Sequence, residues 1–390
     1  MTIGTSNQTQ ISFIKEVTPG TTPTTPTMQI LRMTGETLKA ANSTTVSDEI
    51  RSDRSTSDLI LTDQNVSGDI SGELSGVTYD ALLEAALFSD ATWTVAQTVA
   101  KTTVAATATG FTDSANGLIS ACHLQVGQYF KVSGFTDPLN NIVYKALTVV
   151  AGEVTTYPAP ASTDTAGDSV FLKGSTITNG VTDASFTIQK KFKDTTAASY
   201  LNFRGMRVST MKLDLAVGAI AKVAFGFMGM TATPTETQIS GLTETAATTT
   251  AIMNCVSNVT NIVAKGNGIT TSLYFTDLSM SYDNKLRELK AIGTLGNIAV
   301  RPGTIEAKAT LNPYFENIEL LNVFLANNSF ELSFQVTGSD GNNYVFSYPS
   351  VKFLSQDISA GAKDQDLIIK AEVQAILDTT TLKTMRIDRF

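Results

Sequence analysis

Apolar and polar residues in this chain alternate with a period of two through most of its length, and the elements that pattern predicts are strands. Phe330, Leu332, Phe334 and Val336 alternate with polar residues, Asp340-Gly341 offers a turn, and Tyr344, Phe346 and Tyr348 alternate on the return. This segment reads as a β-hairpin, because Asp-Gly tolerates the backbone of a tight turn. From Val66 onward, Val66, Gly68, Ile70, Gly72 and Leu74 share one face of a strand, while Ser67, Asp69, Ser71, Glu73 and Ser75 share the other. Two runs instead read as short helices, Asp80 to Leu87 and Glu316 to Phe324. The most apolar window, Ala216 to Met230, contains Lys222 and three glycines. It is shorter than the roughly 18–20 apolar residues of a spanning helix, so a buried strand pair is expected there and no membrane segment.

The chain repeats itself. Val208 to Ala219 resembles Val351 to Ala362, with Val, Asp, Gly and Ala coinciding at an offset of 143. Upstream, Gly68-Asp69-Ile70 begins a strand leading to Tyr79 and a helix, and Gly303-Thr304-Ile305 leads likewise to Tyr314 and a helix, at an offset of 235. The two offsets differ by 92 residues, so the first copy carries an insert that the second lacks. From about Thr94 to Gly180 lie strand-like runs, Gln128 to Val132 and Ile142 to Val150, punctuated by Asp137-Pro138, Tyr157 to Pro160 and Thr178-Asn179-Gly180. The expected layout is a first β domain in two parts (1–93 and 181–234), an inserted β domain (94–180), a polar linker (235–254) and a second copy (255–390). Each copy reads as strand, long polar loop, strand, short helix and further strands. The opening strands are expected near Met28 to Met33 and Leu273 to Met280, with loops at Ser43 to Arg54 and Asn284 to Lys290. The fold class is mainly β: two related domains of strands, each with one short helix, plus an inserted small β domain.

Composition narrows the function. Charged residues are 16% of the chain, below the roughly 25% of an average soluble domain, whereas threonine reaches 58 of 390 residues. Threonine suits pleated strands, which accounts for the excess without glycosylation. A net charge of −8 argues against a protein that grips nucleic acid through its phosphates. With one histidine, His123, and two cysteines, Cys122 and Cys255, the chain has almost no material for a nucleophilic triad or a zinc site. No phosphate-binding loop or HExxH pattern occurs, so no catalytic residue, metal or cofactor is expected. Adjacent Cys122 and His123 are expected on opposite faces of a strand. Met1 to Gln10 lacks the basic and apolar regions of a secretory signal, and the two cysteines form no disulfide framework, so synthesis in the cytoplasm without export is expected.

Two features remain as site candidates. The carboxylates Asp69 and Glu73 share a hydroxyl-rich strand face, which reads as a solvated surface, an acid/base pair without partners, or the wall of a channel. The stretch Asp48, Glu49, Arg51, Asp53, Arg54, Asp58 mixes charge in a long loop. Long loops in compact domains tend to be functional, and mixed charge suits docking onto another copy.

Those residues resemble a family, the major tail tube proteins of long non-contractile-tailed bacteriophages. The resemblance covers most of the chain outside the insert. It rests on Thr44 to Arg54, Gly68-Asp69-Ile70, Tyr79 to Phe88, Phe203 to Met206, Phe225 to Gly229, Asn284 to Gly293 and the Asp340-Gly341 hairpin. Gly127 to Phe135 resembles small β-barrel modules found inside some of these proteins. What the resemblance implies is two tail-tube-type β-sandwich domains, each with one short helix, and an inserted small β-barrel-like domain, in a structural virion protein, made in the host cytoplasm, whose inner sheets join around a lumen. Its rings stack into a tube that conducts DNA into the host cell. A duplicated tube domain implies a trimeric ring with pseudo-sixfold symmetry, a hexameric ring being the alternative. Tape measure and tail terminator proteins are the implied partners, and DNA passes without specific binding. On this reading Asp69, Glu73 and Glu306 are lumen candidates, although Lys308 shares the face of Glu306. Asp48, Glu49, Arg51, Asp53, Arg54, Arg287, Glu288 and Lys290 are candidates for contact between rings or subunits, and the insert is expected to project outward. The competing reading is a β-rich binding module or adhesin that recognises its ligand through the insert.

Overall fold

The structure is a computed structural model that describes residues 3–90, 92–95, 98–195, 199–270, 273–339, 341–358 and 363–390. Asp340 of the hairpin turn and Ser359 to Ala362 of the repeat lie outside the described residues. Strands Lys39–Val46, Leu59–Glu73, Lys222–Gly229 and Ser199–Ala216 pair antiparallel in that spatial order. Strands Phe275–Asp283, Glu306–Pro313, Ile369–Ala375 and Asn343–Ile358 pair in the same order. These are two inner sheets with one topology, as a duplicated β-sandwich requires.

The last strand of each copy is long, 18 residues in Ser199–Ala216 and 16 in Asn343–Ile358. Its first half belongs to an outer sheet packed face to face on the inner one. In copy one the outer sheet adds Phe186–Phe192, Thr9–Lys15, Thr27–Ile30 and Thr231–Thr235. In copy two it adds Phe330–Thr337, Val259–Lys265 and Arg386–Arg389, the last pairing with Ser175–Thr178. Alternation buries one side of each strand between the layers: Ile70, Phe225, Leu213, Phe203 and Ile188 in copy one, and Leu311, Val373, Phe334 and Phe346 in copy two. Each buried side chain of this size contributes about 1.5–3 kcal/mol. Helices Asp80–Ala86 and Glu319–Leu325 pack on their own copy's long strand and bury Leu82, Leu83 and Ala86, or Leu320 and Val323.

Two backbone positions show why the layers close as they do. A Cβ on Gly72 would come within 1.9 Å of Tyr79 Oη, which donates to the Arg32 carbonyl at 3.0 Å, so glycine occupies a core-facing position. At the bend of the long strand Gly205 has φ +67° and its N–H donates to Glu16 at 3.0 Å. The buried Glu16 carboxylate also accepts from Gly20 N, Ser185 Oγ and Thr187 Oγ1 at 2.7–2.8 Å, tying the first loop to the bend.

The structure corrects the expected strand limits. The strand expected from Val66 or Gly68 begins at Leu59, and Lys39–Val46 is its hairpin partner, so Ser43 to Val46 are strand and not loop. Thr27–Ile30 belongs to the outer sheet. Both hairpin strands are exposed along this arm, so core alternation is missing and the sequence reads as polar loop. The repeat register also shifts. Each long strand bulges against its inner-sheet neighbour, between Val208 and Thr210 and between Phe353 and Ser355, which aligns the copies at an offset of 145 instead of 143. A slip of two residues keeps every side chain on its face, so residue pattern cannot detect it; a bulge can.

The insert forms a six-stranded sheet in the order Phe171–Lys173, Tyr129–Ser133, Val143–Val150, Glu153–Tyr157, Gly110–Asp113, Val104–Ala106. A bridge between Lys101 and Val170 ties its two ends together, and Phe111, Phe130, Tyr144, Val154 and Leu172 fill its own core. Cys122 is buried and His123 exposed, yet they lie just past the short helix Gly117–Ser120 and not in a strand. His123 has φ +54° there.

Candidate assembly interfaces

Three surfaces are candidates for assembly contacts: the polar face of the inner sheets, their free edges, and the loops beside those edges. The inner sheets of the two copies are joined. Ser199–Ala216 pairs on its second side with Phe275–Asp283, from Thr210 opposite Asp283 to Ala216 opposite Asp277. One run of eight antiparallel strands results, with its core face toward the outer sheets and its other face polar.

Alternation places Asp69 and Glu73 on that polar face, and Glu306 falls on it as well. Asp214, Asp277, Asp283, Asp357 and Glu372 share it, with Lys39, Lys212, Lys222, Lys308, Lys352 and Lys370. The face is therefore mixed in charge, with the carboxylates in modest excess. Lys222 lies between Glu73 and Asp214 in adjacent strands. Lys212 pairs with Asp214 at 3.0 Å, and Glu306 with Lys285 at 2.5 Å and Lys308 at 2.6 Å. Hydrogen bonds from Lys285 and then Lys308 hold the Glu306 carboxyl down at about 2, and Glu306 and Asp283 raise the Lys285 ammonium. Apart from Lys308, which shares the strand of Glu306, the lysines of this face come from strands whose place in the sheet required the pairing order.

The two ends of the eight-strand run are Lys39–Val46 and the second half of Asn343–Ile358. Thr37 N donates to Asp69 O at 2.9 Å, so odd-numbered N–H groups of the first edge turn inward and even-numbered ones turn away. These edges are short of partners among the described residues, and sequence reading did not single them out.

Residues 47–58 cap the exposed arm. Arg51 holds Asp53 with two bonds, at 3.1 and 2.8 Å, which lowers the Asp53 carboxyl. Asp48 and Glu49 have no ion-pair partner among the described residues, and Ile50 is 99% exposed. Arg54 is exposed with φ +62°. In copy two the corresponding loop forms a small hairpin, Arg287–Leu289 against Ala299–Arg301. Lys290 reaches Asp63, Asn65 Oδ1 at 3.0 Å and Glu288 at 3.1 Å, and Asn297 Nδ2 donates to Gly229 O at 2.9 Å. The copy-two loop thus sits on the base of the copy-one arm. Among the described residues no hydrogen bond or ion pair joins Asp48 to Arg54 with Arg287, Glu288 or Lys290.

The insert docks on the outer sheet of copy two, on the side away from the polar inner face. Tyr129 Oη donates to Glu331 at 3.0 Å, Lys145 pairs with Glu331 at 2.5 Å, and Tyr129 N donates to Asp388 at 3.1 Å. Arg386 donates to Val126 O at 2.9 Å. Burial raises the Asp388 carboxyl to about 6 despite the nearby Arg386 guanidinium. A cleft of about 670 Å³ remains between insert and copy two, lined in part by Tyr157, Lys265, Gln335 and Val345.

Inside the insert, Asp113 is fully buried beside Lys101 at 2.6 Å. Burial pushes its carboxyl up, but hydrogen bonds from Lys101, Thr103 and the Ala115 and Gly117 N–H groups prevail and hold it at about 2. A depressed carboxyl contributes stability above its unfolded pKa of about 3.9 and loses it as pH falls through the folded value. The chain is therefore expected to lose on the order of 2 kcal/mol from this group between pH 5 and 2. Thermal unfolding of Asp113→Asn from pH 7 to pH 2 should show a lower melting temperature at pH 7 and a flatter acid limb; an unchanged acid limb would refute the assignment.

Among the described residues no group of three His, Cys, Asp or Glu could hold a metal ion, neither cysteine is in a disulfide, and no helix is long and apolar enough to cross a membrane. Residues 6–375 match the family model described as phage tail tube protein. No curated protein matches the chain.

Proposed function

The chain belongs to the phage tail tube protein family, and from that premise we propose that three copies close into a ring with pseudo-sixfold symmetry. The protein is a structural component of the virion tail. The observation that carries the ring is the junction inside one chain, where the last inner strand of copy one pairs with the first of copy two. Each chain then retains one free edge of each kind, and the same junction formed between chains closes three of them into a barrel.

The register follows from the equivalence of the copies. Asp69, Gly226 and Thr210 lie side by side in copy one, as Thr310, Glu372 and Ser355 do in copy two. Thr37 and Ser279 are their equivalents on the first strands. The Thr210–Asp283 pair then recurs as Ser355 opposite Ala41 of a neighbour, and Lys212–Ser281 recurs as Asp357 opposite Lys39. Nothing in the derivation used charge, yet it sets an exposed carboxylate against an exposed ammonium.

In this reading rings stack into a tube that conducts DNA into the host cell. Asp69, Glu73 and Glu306 line the lumen, and the insert lies outside. In the same reading residues 1–93 with 181–234 and residues 255–390 form the two tube domains around the insert and linker, the chain performs no catalysis, and tape measure and tail terminator proteins meet the tube ends. Negative-stain images of the purified chain should contain rings or stacked tubes with threefold or pseudo-sixfold projections. Monomers persisting at every concentration would sink the reading.

A further inference from the structure

Arg287 and Arg301 lie directly opposite each other in the Arg287–Leu289 and Ala299–Arg301 hairpin. Both are exposed, and among the described residues neither has a carboxylate within ion-pair distance. Like charges directly opposite in a two-stranded ladder are destabilising. Val300 on the other face is fully buried, which fixes both guanidinium groups on the outer face beside the half-exposed Leu289. Lys285, Arg287, Pro302, Gly303 and Thr304 border a notch here. In a chain of net charge −8, such a cationic cluster calls for an anionic partner.

We propose that the occupant is the arm of a second copy of this chain, its Asp48 and Glu49 pairing with Arg287 and Arg301 and its Ile50 covering Leu289. The argument rests on the ring reading and adds a contact to it. Inside the chain, the copy-two loop reaches across the junction so that Lys290 meets Asp63 and Asn65 of copy one. By the alignment of the inner strands, Asp48 corresponds to Lys290, and Asp63 and Asn65 correspond to Thr304 and Glu306. At the junction between chains the arm therefore arrives beside Thr304, at the notch. The charges are exchanged between the two junctions: a cation meets a carboxylate inside the chain, and carboxylates meet cations between chains. Arg51 and Asp53 are already paired to each other, which leaves Asp48 and Glu49 as the carboxylates on offer.

The test uses full-length chain. Arg287→Glu with Arg301→Glu should raise the concentration needed for ring formation about tenfold or more, with monomer melting unchanged. Adding Asp48→Lys and Glu49→Lys to that variant should restore assembly. In a separate chain, Glu49→Cys with Arg301→Cys should give covalent dimers and trimers on oxidation that disappear on reduction. Wild-type rings accompanied by normal assembly of the double glutamate variant and no crosslink would overturn the arm contact and leave the ring standing. Absence of rings in the wild type would instead remove the ring reading itself.

Discussion

Ala40→Pro should leave the monomer folded and abolish rings. Ala40 lies on the exposed edge strand Lys39–Val46, and its N–H belongs to the even-numbered set that turns away from the sheet. Proline is tolerated on an edge where the missing donor faced solvent. Its neighbour Lys39 is already extended, the conformation that proline demands of the preceding residue. Within the chain, the equivalent of Ala40 is Tyr282, which lies opposite Met211 in the junction between copies. There Asn284 N donates to Ser209 O at 2.9 Å and Val217 N to Thr276 O at 3.1 Å, so the even residues of that strand are the ones bonded across the junction. At the junction between chains Ala40 would face Gln356, and proline would remove the ladder bond and crowd the incoming strand. The lost ladder bond leaves the partner's carbonyl unpaired at a cost of about 1–3 kcal/mol, roughly 10- to 100-fold in association at each junction. Sedimentation should find monomer at concentrations where wild type assembles, with matching circular dichroism and melting temperature. Normal rings from Ala40→Pro would mean that this edge is not the closing surface.

How much of this was readable in the sequence depended on whether a residue's role was local. The hairpin of Phe330–Thr337 with Asn343–Ile358, both helices and the insert had local signals, namely alternation, helical spacing and turn residues. The duplication was legible too, because it leaves repeated text. Its register was not, since a two-residue slip preserves the alternation and it takes bulges such as those at Val208/Thr210 and Phe353/Ser355 to fix it. The arm strands Lys39–Val46 and Leu59–Glu73 were hidden because neither face of their distal part meets a core. Lys39 and Asp357 could not be singled out as a pair, since their proposed meeting depends on six intervening strands. Conversely, Asp69 and Glu73 were found from one strand alone, but Lys222 beside Glu73 belongs to a strand distant in sequence. The expected acidic face therefore turned out mixed.

That mixed face sets the second large effect. If Asp69, Glu73 and Glu306 line a channel, replacing all three by lysine should leave tubes intact while DNA passage fails. The strands keep their core faces, because all three side chains point away from Ile70, Leu74 and Ala307. Glu306 is the costlier change, since its carboxylate now bridges Lys285 and Lys308. A paired control with Glu306→Gln separates loss of that bridge from gain of positive charge. Lysine on the wall would neutralise phosphates and release counterions, and six to ten such contacts shift affinity by roughly 10³–10⁵ between low and moderate salt. A trimeric ring presents nine new lysines and successive rings repeat them, so the DNA would be held at every level of the tube. Particles carrying the triple variant should show normal tails by electron microscopy, ejection slowed on the order of 10³-fold or blocked, and partial recovery as salt is raised. The Glu306→Gln particles should eject normally. Fast ejection from the triple variant at low salt would place these residues away from the DNA path and move the lumen to another surface.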